Sequence, residues 1–256
     1  MIHEQAIVDP ETDIADDVEI GPFCVIGPGV EIGQGTRIGS HVVVRGPTRI
    51  GRENRIFSFA AIGEAPQDMK YADEPTRLEL GDRNTIREYA TMNRGTVGGG
   101  GVTRIGSDNL FMAYTHVAHD CIVGDRAIFS NAASLAGHVE VGDWAILGGF
   151  TSVHQFTRIG EHSFAGLGTI INRDVPPFVT VAGNHARAYG INKNGLKRRD
   201  FTAEAIRALH RAYMVLIKSR KTTPEQRADV DELAEQFPEV RRFVDFIDGS
   251  ERGVTR

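Results

Sequence analysis

The run His116-Val117-Ala118-His119-Asp120-Cys121 sets two imidazoles and a carboxylate side by side. Histidine is the side chain best matched to taking and returning a proton near neutral pH. A neighbouring carboxylate such as Asp120 holds an imidazole in one tautomer. Two further polar pairs follow, Gly137-His138 and His154-Gln155. Gly137 lies 18 residues after His119, His138 lies 18 after Asp120, and Gln155 lies 18 after Gly137. A chain that returned to the same edge every 18 residues would stack them in one outward column. In such a column Gly137 leaves a backbone N–H accessible as an oxyanion donor. No Ser or Cys nucleophile has a comparable setting. The spacing therefore predicts general-base chemistry without a covalent intermediate. Two bland readings stay open: a decorated surface or subunit interface, and a zinc site built from three histidines.

The element that must position these residues has a period of six. Every sixth residue from Ile2 to Ile62 is β-branched and aliphatic, and the next residue is often Gly. Leu80, Ile86 and Met92 keep the phase; a shifted series runs from Ile105 through Val117, Leu135 and Val153 to Ile171. This is the hexapeptide beat of a parallel β-helix, each hexad one short strand plus a corner. The glycines are expected to supply the φ > 0 or tight backbone of the corners. Three hexads make one triangular turn, so the prism stands roughly 40 Å tall at the usual strand spacing. A β-sandwich does not hold one period over such a length. Cys24 and Cys121 fall on small interior positions, as packing residues of a reducing compartment.

Two excursions interrupt the beat, near 64–77 and near 98–104. Insertions of this kind are commonly functional lids. In the first, Gln67 and Asp68 can bind sugar hydroxyls and Lys70 can pair with a phosphate. After Pro176-Pro177 the beat stops. Ile206, Leu209, Tyr213, Leu216 and Ile217 recur at helical spacing. Thr223-Pro224-Glu225-Gln226 reads as a capped helix start, and a further helix follows Pro238. The predicted organisation is mainly β: a parallel β-helix over 1–185 and a small C-terminal α-helical domain over 186–256. The chain's net charge is −5, yet residues 186–256 hold 15 Lys and Arg against 11 Asp and Glu. That tail suits an acidic partner, and Lys197-Arg198-Arg199 reads either as a second phosphate or carrier site or as ordinary basic decoration of a helix start. No apolar run of about 18 residues and no leader pattern occurs, so a cytoplasmic protein without membrane insertion is expected. Nucleic acid is not expected as a partner.

The motifs Gly63-Glu64, Gln67-Asp68-Met69-Lys70-Tyr71, His116-Val117-Ala118-His119-Asp120-Cys121, Leu135-Ala136-Gly137-His138, Val153-His154-Gln155-Phe156, Asp174-Val175-Pro176-Pro177, Gly183-Asn184-His185-Ala186 and Gly195-Leu196-Lys197-Arg198-Arg199 resemble those of the UDP-N-acetylglucosamine 3-O-acyltransferases of lipid A biosynthesis. The resemblance spans essentially the whole chain. It implies a homotrimer of left-handed β-helices with active sites between subunits. It also implies transfer of a (R)-3-hydroxyacyl group from acyl carrier protein to the 3-hydroxyl of UDP-N-acetylglucosamine. The acyl group arrives on the carrier's phosphopantetheine, and neither a further cofactor nor a metal is needed. By the resemblance His119 is the general base, Asp120 supports it and the Gly137 N–H stabilises the oxyanion. Gln67, Asp68 and His116 hold the sugar, Lys70 a phosphate and His138 acyl or sugar hydroxyls, with His154 and Gln155 nearby. Asn192, Arg198 and Arg199 approach the nucleotide or phosphopantetheine. Leu167 stands where some relatives have Gly, which implies a shortened acyl groove for about ten to twelve carbons. Asn194 stands where an acidic residue is expected in the nucleotide-binding stretch. The competing readings are the N-acyltransferase acting later in the pathway, a metal enzyme like the γ-carbonic anhydrases, and a non-catalytic scaffold.

Overall fold

The computed structural model describes residues 1–219 and 221–256. Its body is a triangular prism of short parallel strands. One coil takes 18 residues, so Ile7 pairs with Val25 and Val25 with Val43. Among the described residues the three faces are sheets of nine, eight and ten strands. The first sheet runs from Ile7–Val8 to Ile170–Ile171, the second from Asp13–Ile14 to Arg158–Ile159, the third from Glu19–Ile20 to Arg187–Ile191. The residues on the six-beat point inward and stack by kind. Ile26, Ile62, Val117, Leu135 and Ile171 are all at most 1 % exposed. Only at the open N-terminal end does the ladder surface, at Ile2.

The corners bear out one half of the sequence expectation, the tight backbone. Apart from Gly63 (φ 75°), the glycine after an inward aliphatic residue is not the φ > 0 residue. It is there because corners of successive coils touch: a Cβ on Gly33 would lie 2.7 Å from the Gly51 carbonyl carbon. The left-handed turn falls instead two residues later, mostly on non-glycine residues: Phe23 (φ 60°), Asp120 (59°), His138 (61°), Phe156 (62°) and His162 (55°). Each such side chain is thrown outward at an edge, where it meets its counterparts above and below.

Both excursions leave the edge between the first and second sheets, on consecutive coils. The first lies between strands Ala61–Glu64 and Arg77–Leu80. The second lies between Thr91–Asn93 and Val102–Ile105 and carries a single helical turn, Val97–Gly99. Residues 102–104, expected in the loop, are strand, because Val102 and Thr103 pair with Arg77 and Leu78. Arg94 staples the first excursion to the prism. It donates to the Gly46 and Gly63 carbonyls and, at 3.0 Å, to the Tyr71 hydroxyl.

The predicted boundary at 185/186 also moves. Arg187–Ile191 is a strand paired antiparallel with Val179–Ala182, because the last coil still needs its edge covered. The helices then follow: α1 Lys193–Lys197, α2 Ala203–Tyr213, α3 Pro224–Gln236 and α4 Pro238–Asp248. Thr223 and Gln226 form the expected capping box of α3. This tail packs on the edge between the second and third sheets. There the ring of His162 lies between Trp144 and Phe178, edge-on to Phe201, with Arg199 at 3.3 Å.

Two outcomes follow from this packing. Gly33→Ala should cost about 1–3 kcal/mol of stability as the corners are forced apart, read as a lower urea midpoint; an unchanged midpoint would show that the corners have slack. Burial, helped by the Arg199 and Arg242 charges, pushes His162 from 6.5 down to about 4. Above pH 6.5 the ring is neutral in both folded and unfolded chains. Between 6.5 and about 4 only the unfolded chain takes up the proton, so stability falls with pH through that window. Tm measured across it should fall less steeply in His162→Asn than in the parent; equal slopes would assign the proton uptake to other groups.

Candidate active site

The site forms at the edge between the first and second sheets, where three successive coils each contribute one corner. His119 and Asp120 turn one corner, Gly137 and His138 the next, and Gln155 and Phe156 the one after. Asp120 is held at both ends. Its N–H donates to the Thr103 hydroxyl at 2.8 Å, and its side chain is 1 % exposed. The His119 Nδ1–H donates to Asp120 Oδ2 at 2.8 Å. A carboxylate only accepts, so Nδ1 carries the proton in this contact, and in the neutral ring Nε2 is then the acceptor. Gly137 makes room for this ring: a Cβ there would lie 2.7 Å from Nε2. The Gly137 N–H has no acceptor among the described residues. A proton acceptor and an unused backbone donor therefore sit against each other.

His138 closes the other side. Its Nε2 is 3.7 Å from Asp120 Oδ2, and its ring stacks on Phe156 at 4.4 Å while meeting His119 edge-on. Burial lowers the pKa of His138, and Asp120 partly offsets this. Burial also lowers His116, on the strand before the corner, with the nearby His119 adding to the effect. His116 Nδ1 bonds the Thr91 hydroxyl at 2.7 Å. Lowered pKa values keep both rings neutral at pH 7, as hydrogen-bonding groups rather than charges. Cys121 faces the core, and burial pushes its thiol up to about 12. It is no nucleophile.

The two excursions wall the site. A cleft of about 450 Å³ is lined by Asp68, Lys70, Tyr71, Thr96, His138 and Phe156, among others. Gln67 is exposed on the same loop. His154 lies one coil further on and shares a contact with Arg252 at 3.1 Å, while Gln155 beside it is exposed. The sequence reasoning missed Phe156, Thr96 and Thr103. Phe156 was findable, since it lies 18 residues after His138. The two threonines were not, because the second excursion breaks the count.

Four expected members of the site are elsewhere on the same chain. Asn192 is buried, donating to the His162 carbonyl at 3.0 Å, and Arg199 lies over the Trp144 ring at 4.8 Å. These, with the exposed Arg198, sit at the edge between the second and third sheets. Leu167 does point outward over Gly149, 78 % exposed, but at the edge between the third and first sheets. Spacing by 18 stacks residues on one edge; these positions fall on other corners of the triangle.

The protein-family model for domain 2 of UDP-N-acetylglucosamine O-acyltransferase matches residues 174–255, and the bacterial transferase hexapeptide model matches 1–34 and 11–46. The acyl-[acyl-carrier-protein]–UDP-N-acetylglucosamine O-acyltransferase of Thiobacillus denitrificans is 56 % identical over 255 residues, covering 100 % of this chain and 99 % of the relative. The protein of that name from Stutzerimonas stutzeri is 53 % identical, with 100 % and 99 % covered. The solved structure of LpxA from Acinetobacter baumannii superposes with a TM-score of 0.95 at 47 % identity, covering 100 % and 99 % of the two chains. The prism is accordingly a left-handed parallel β-helix. With relatives more than half identical from end to end, and with their architecture, the chain belongs to the acyl-[acyl-carrier-protein]–UDP-N-acetylglucosamine O-acyltransferase family.

Proposed function

We propose that this chain transfers a (R)-3-hydroxyacyl group from acyl carrier protein to the 3-hydroxyl of UDP-N-acetylglucosamine, the first step of lipid A biosynthesis. The observation that carries the chemistry is the His119–Asp120 pair packed against Gly137. His119 Nε2 takes the proton of the sugar hydroxyl as that oxygen attacks the thioester carbon. The charge that develops on the carbonyl oxygen is met by the Gly137 N–H. The tetrahedral species collapses, the C–S bond breaks, and the proton passes from His119 to the departing phosphopantetheine thiolate. Asp120 stabilises the transient imidazolium. The buried Cys121 thiol argues for direct attack rather than an acyl-enzyme.

Asp68 and Lys70 in the cleft beside His138, with Gln67 and His116 flanking it, suit a sugar and its phosphate. The metal-enzyme reading is less well supported. His119, Asp120 and His138 are close enough to share an ion, but Oδ2 of Asp120 already accepts from both His119 and Thr96. The N-acyltransferase reading is not favoured, since the end-to-end relatives carry the O-acyltransferase name.

The complete site is proposed to be composite. The edge between the third and first sheets carries an exposed ring ladder, Phe23, His41, Phe59, Tyr89 and Tyr114, with centroids 4.9–5.0 Å apart. Apolar surface of this extent supports packing between copies in a homotrimer. Such packing would bring Leu167, Asn192, Arg198 and Arg199 of one copy beside His119 of another. The basic tail suits the acidic carrier, and the absence of a helix long and apolar enough to span a membrane among the described residues fits a cytoplasmic site of action.

His119→Ala should lower kcat by at least about 10²–10⁴-fold with Tm unchanged, because Asp120 keeps both donors from Thr96. Near-parental turnover would remove His119 from the mechanism. Leu167→Gly should move the preferred acyl chain beyond about ten to twelve carbons, each added methylene being worth about 0.8 kcal/mol. Competition among carriers of different chain length reads this out, and an unmoved preference would refute Leu167 as the ruler.

A further inference from the structure

We propose that Thr96, on the second excursion, is a positioning residue that fixes the Asp120 carboxylate and thereby aims the free nitrogen of His119. The inference rests on the reading of His119 as the base. Thr96 grips Asp120 twice. Its backbone N–H donates to Oδ1 at 2.8 Å and its hydroxyl donates to Oδ2 at 2.6 Å. The hydroxyl has no freedom to turn away. As the N-cap of the helical turn Val97–Gly99, its oxygen also accepts the Gly99 N–H at 3.2 Å. With that lone pair engaged, the single hydroxyl proton points at the carboxylate.

The fit is close. A side chain at Gly99 would run into the Asp120 carboxyl. Gly101 N–H closes the turn onto the Thr96 carbonyl at 2.8 Å, and the Gly101 carbonyl accepts from Arg77 N–H, which ties the turn to the strand after the first excursion. Asp120 sits on a left-handed corner with φ 59°, where the usual hydrogen bond to the coil below is replaced by the Thr103 hydroxyl. Without the Thr96 hydroxyl, Oδ2 would keep His119 as its one hydrogen-bond donor, with His138 Nε2 at 3.7 Å. The other titratable or charged groups facing the pair are His116 from the preceding strand, His138 from the next coil, and Asp68 and Lys70 from the first excursion.

The test compares Thr96→Val, which keeps the shape and deletes the hydroxyl proton, with Thr96→Ser, which restores it. Thr96→Val should lower kcat by about ten- to a hundredfold, the usual effect of losing a group that orients a functional side chain, while KM for both substrates changes little. A carboxylate short of one donor leans harder on the imidazolium of His119, so the acid limb of kcat/KM against pH should move to higher pH. Thr96→Ser should return both quantities to the parent. If Thr96→Val keeps parental kcat and an unmoved acid limb while His119→Ala is inactive, the role of Thr96 is refuted and the base assignment stands. A loss shared equally by Thr96→Ser, or one seen only as raised KM and lowered Tm, would make Thr96 a mere wall of the cleft and equally overturn the inference. Full activity in both Thr96→Val and His119→Ala would remove it together with the mechanism it rests on.

Discussion

Most corners of this prism turn on one residue held in the left-handed region, and the rest of the molecule depends on it. For an L-residue other than glycine that conformation is costly. The cost is offset by the stack. The corner N–H bonds the carbonyl of the residue before the corner one coil below, as His138 does to His119 at 3.0 Å and Phe156 to Gly137 at 3.1 Å. Inside, aliphatic ladders remove every face from water. Because the corner residue leaves the backbone at the same angle each time, its side chain must stack on its counterparts. Strain of this kind is commonly found at functional positions, and here Asp120 and His138 both occupy it.

The three edges put this constraint to different uses. One is sealed by the tail, with His162 trapped neutral among Trp144, Phe178 and Phe201. One displays the exposed ring ladder. The third carries the polar chemistry, and only there do the excursions leave the prism. Their placement encloses an otherwise open corner, lowers its contact with water and keeps His116 and His138 uncharged.

The beat itself was legible because a β-helix is local in its grammar: each inward aliphatic residue is set by its distance from the last. The column His119, Gly137, Gln155 was legible for the same reason, one coil being a fixed number of residues. Helix α3 was legible from Thr223 and Gln226, whose hydrogen bonds are made within a single turn. Of the two roles open to the corner glycines, the tight backbone is the one most of them serve: they touch the next coil, and few of them use a positive φ.

Sequence alone thus determined the prism, the edge on which His119, Asp120, Gly137 and His138 meet, and the helical tail, all of which follow from counting along one chain. Tertiary structure alone decided the rest. Thr96 and Thr103 reach Asp120 across an insertion that has no fixed period. Arg199 and Asn192 serve the packing of His162 on another edge. Leu167 faces a third. Periodicity gives the height and the edge of a residue that obeys it, but a loop that leaves the coil is placed by its hydrogen bonds, and those are made in space.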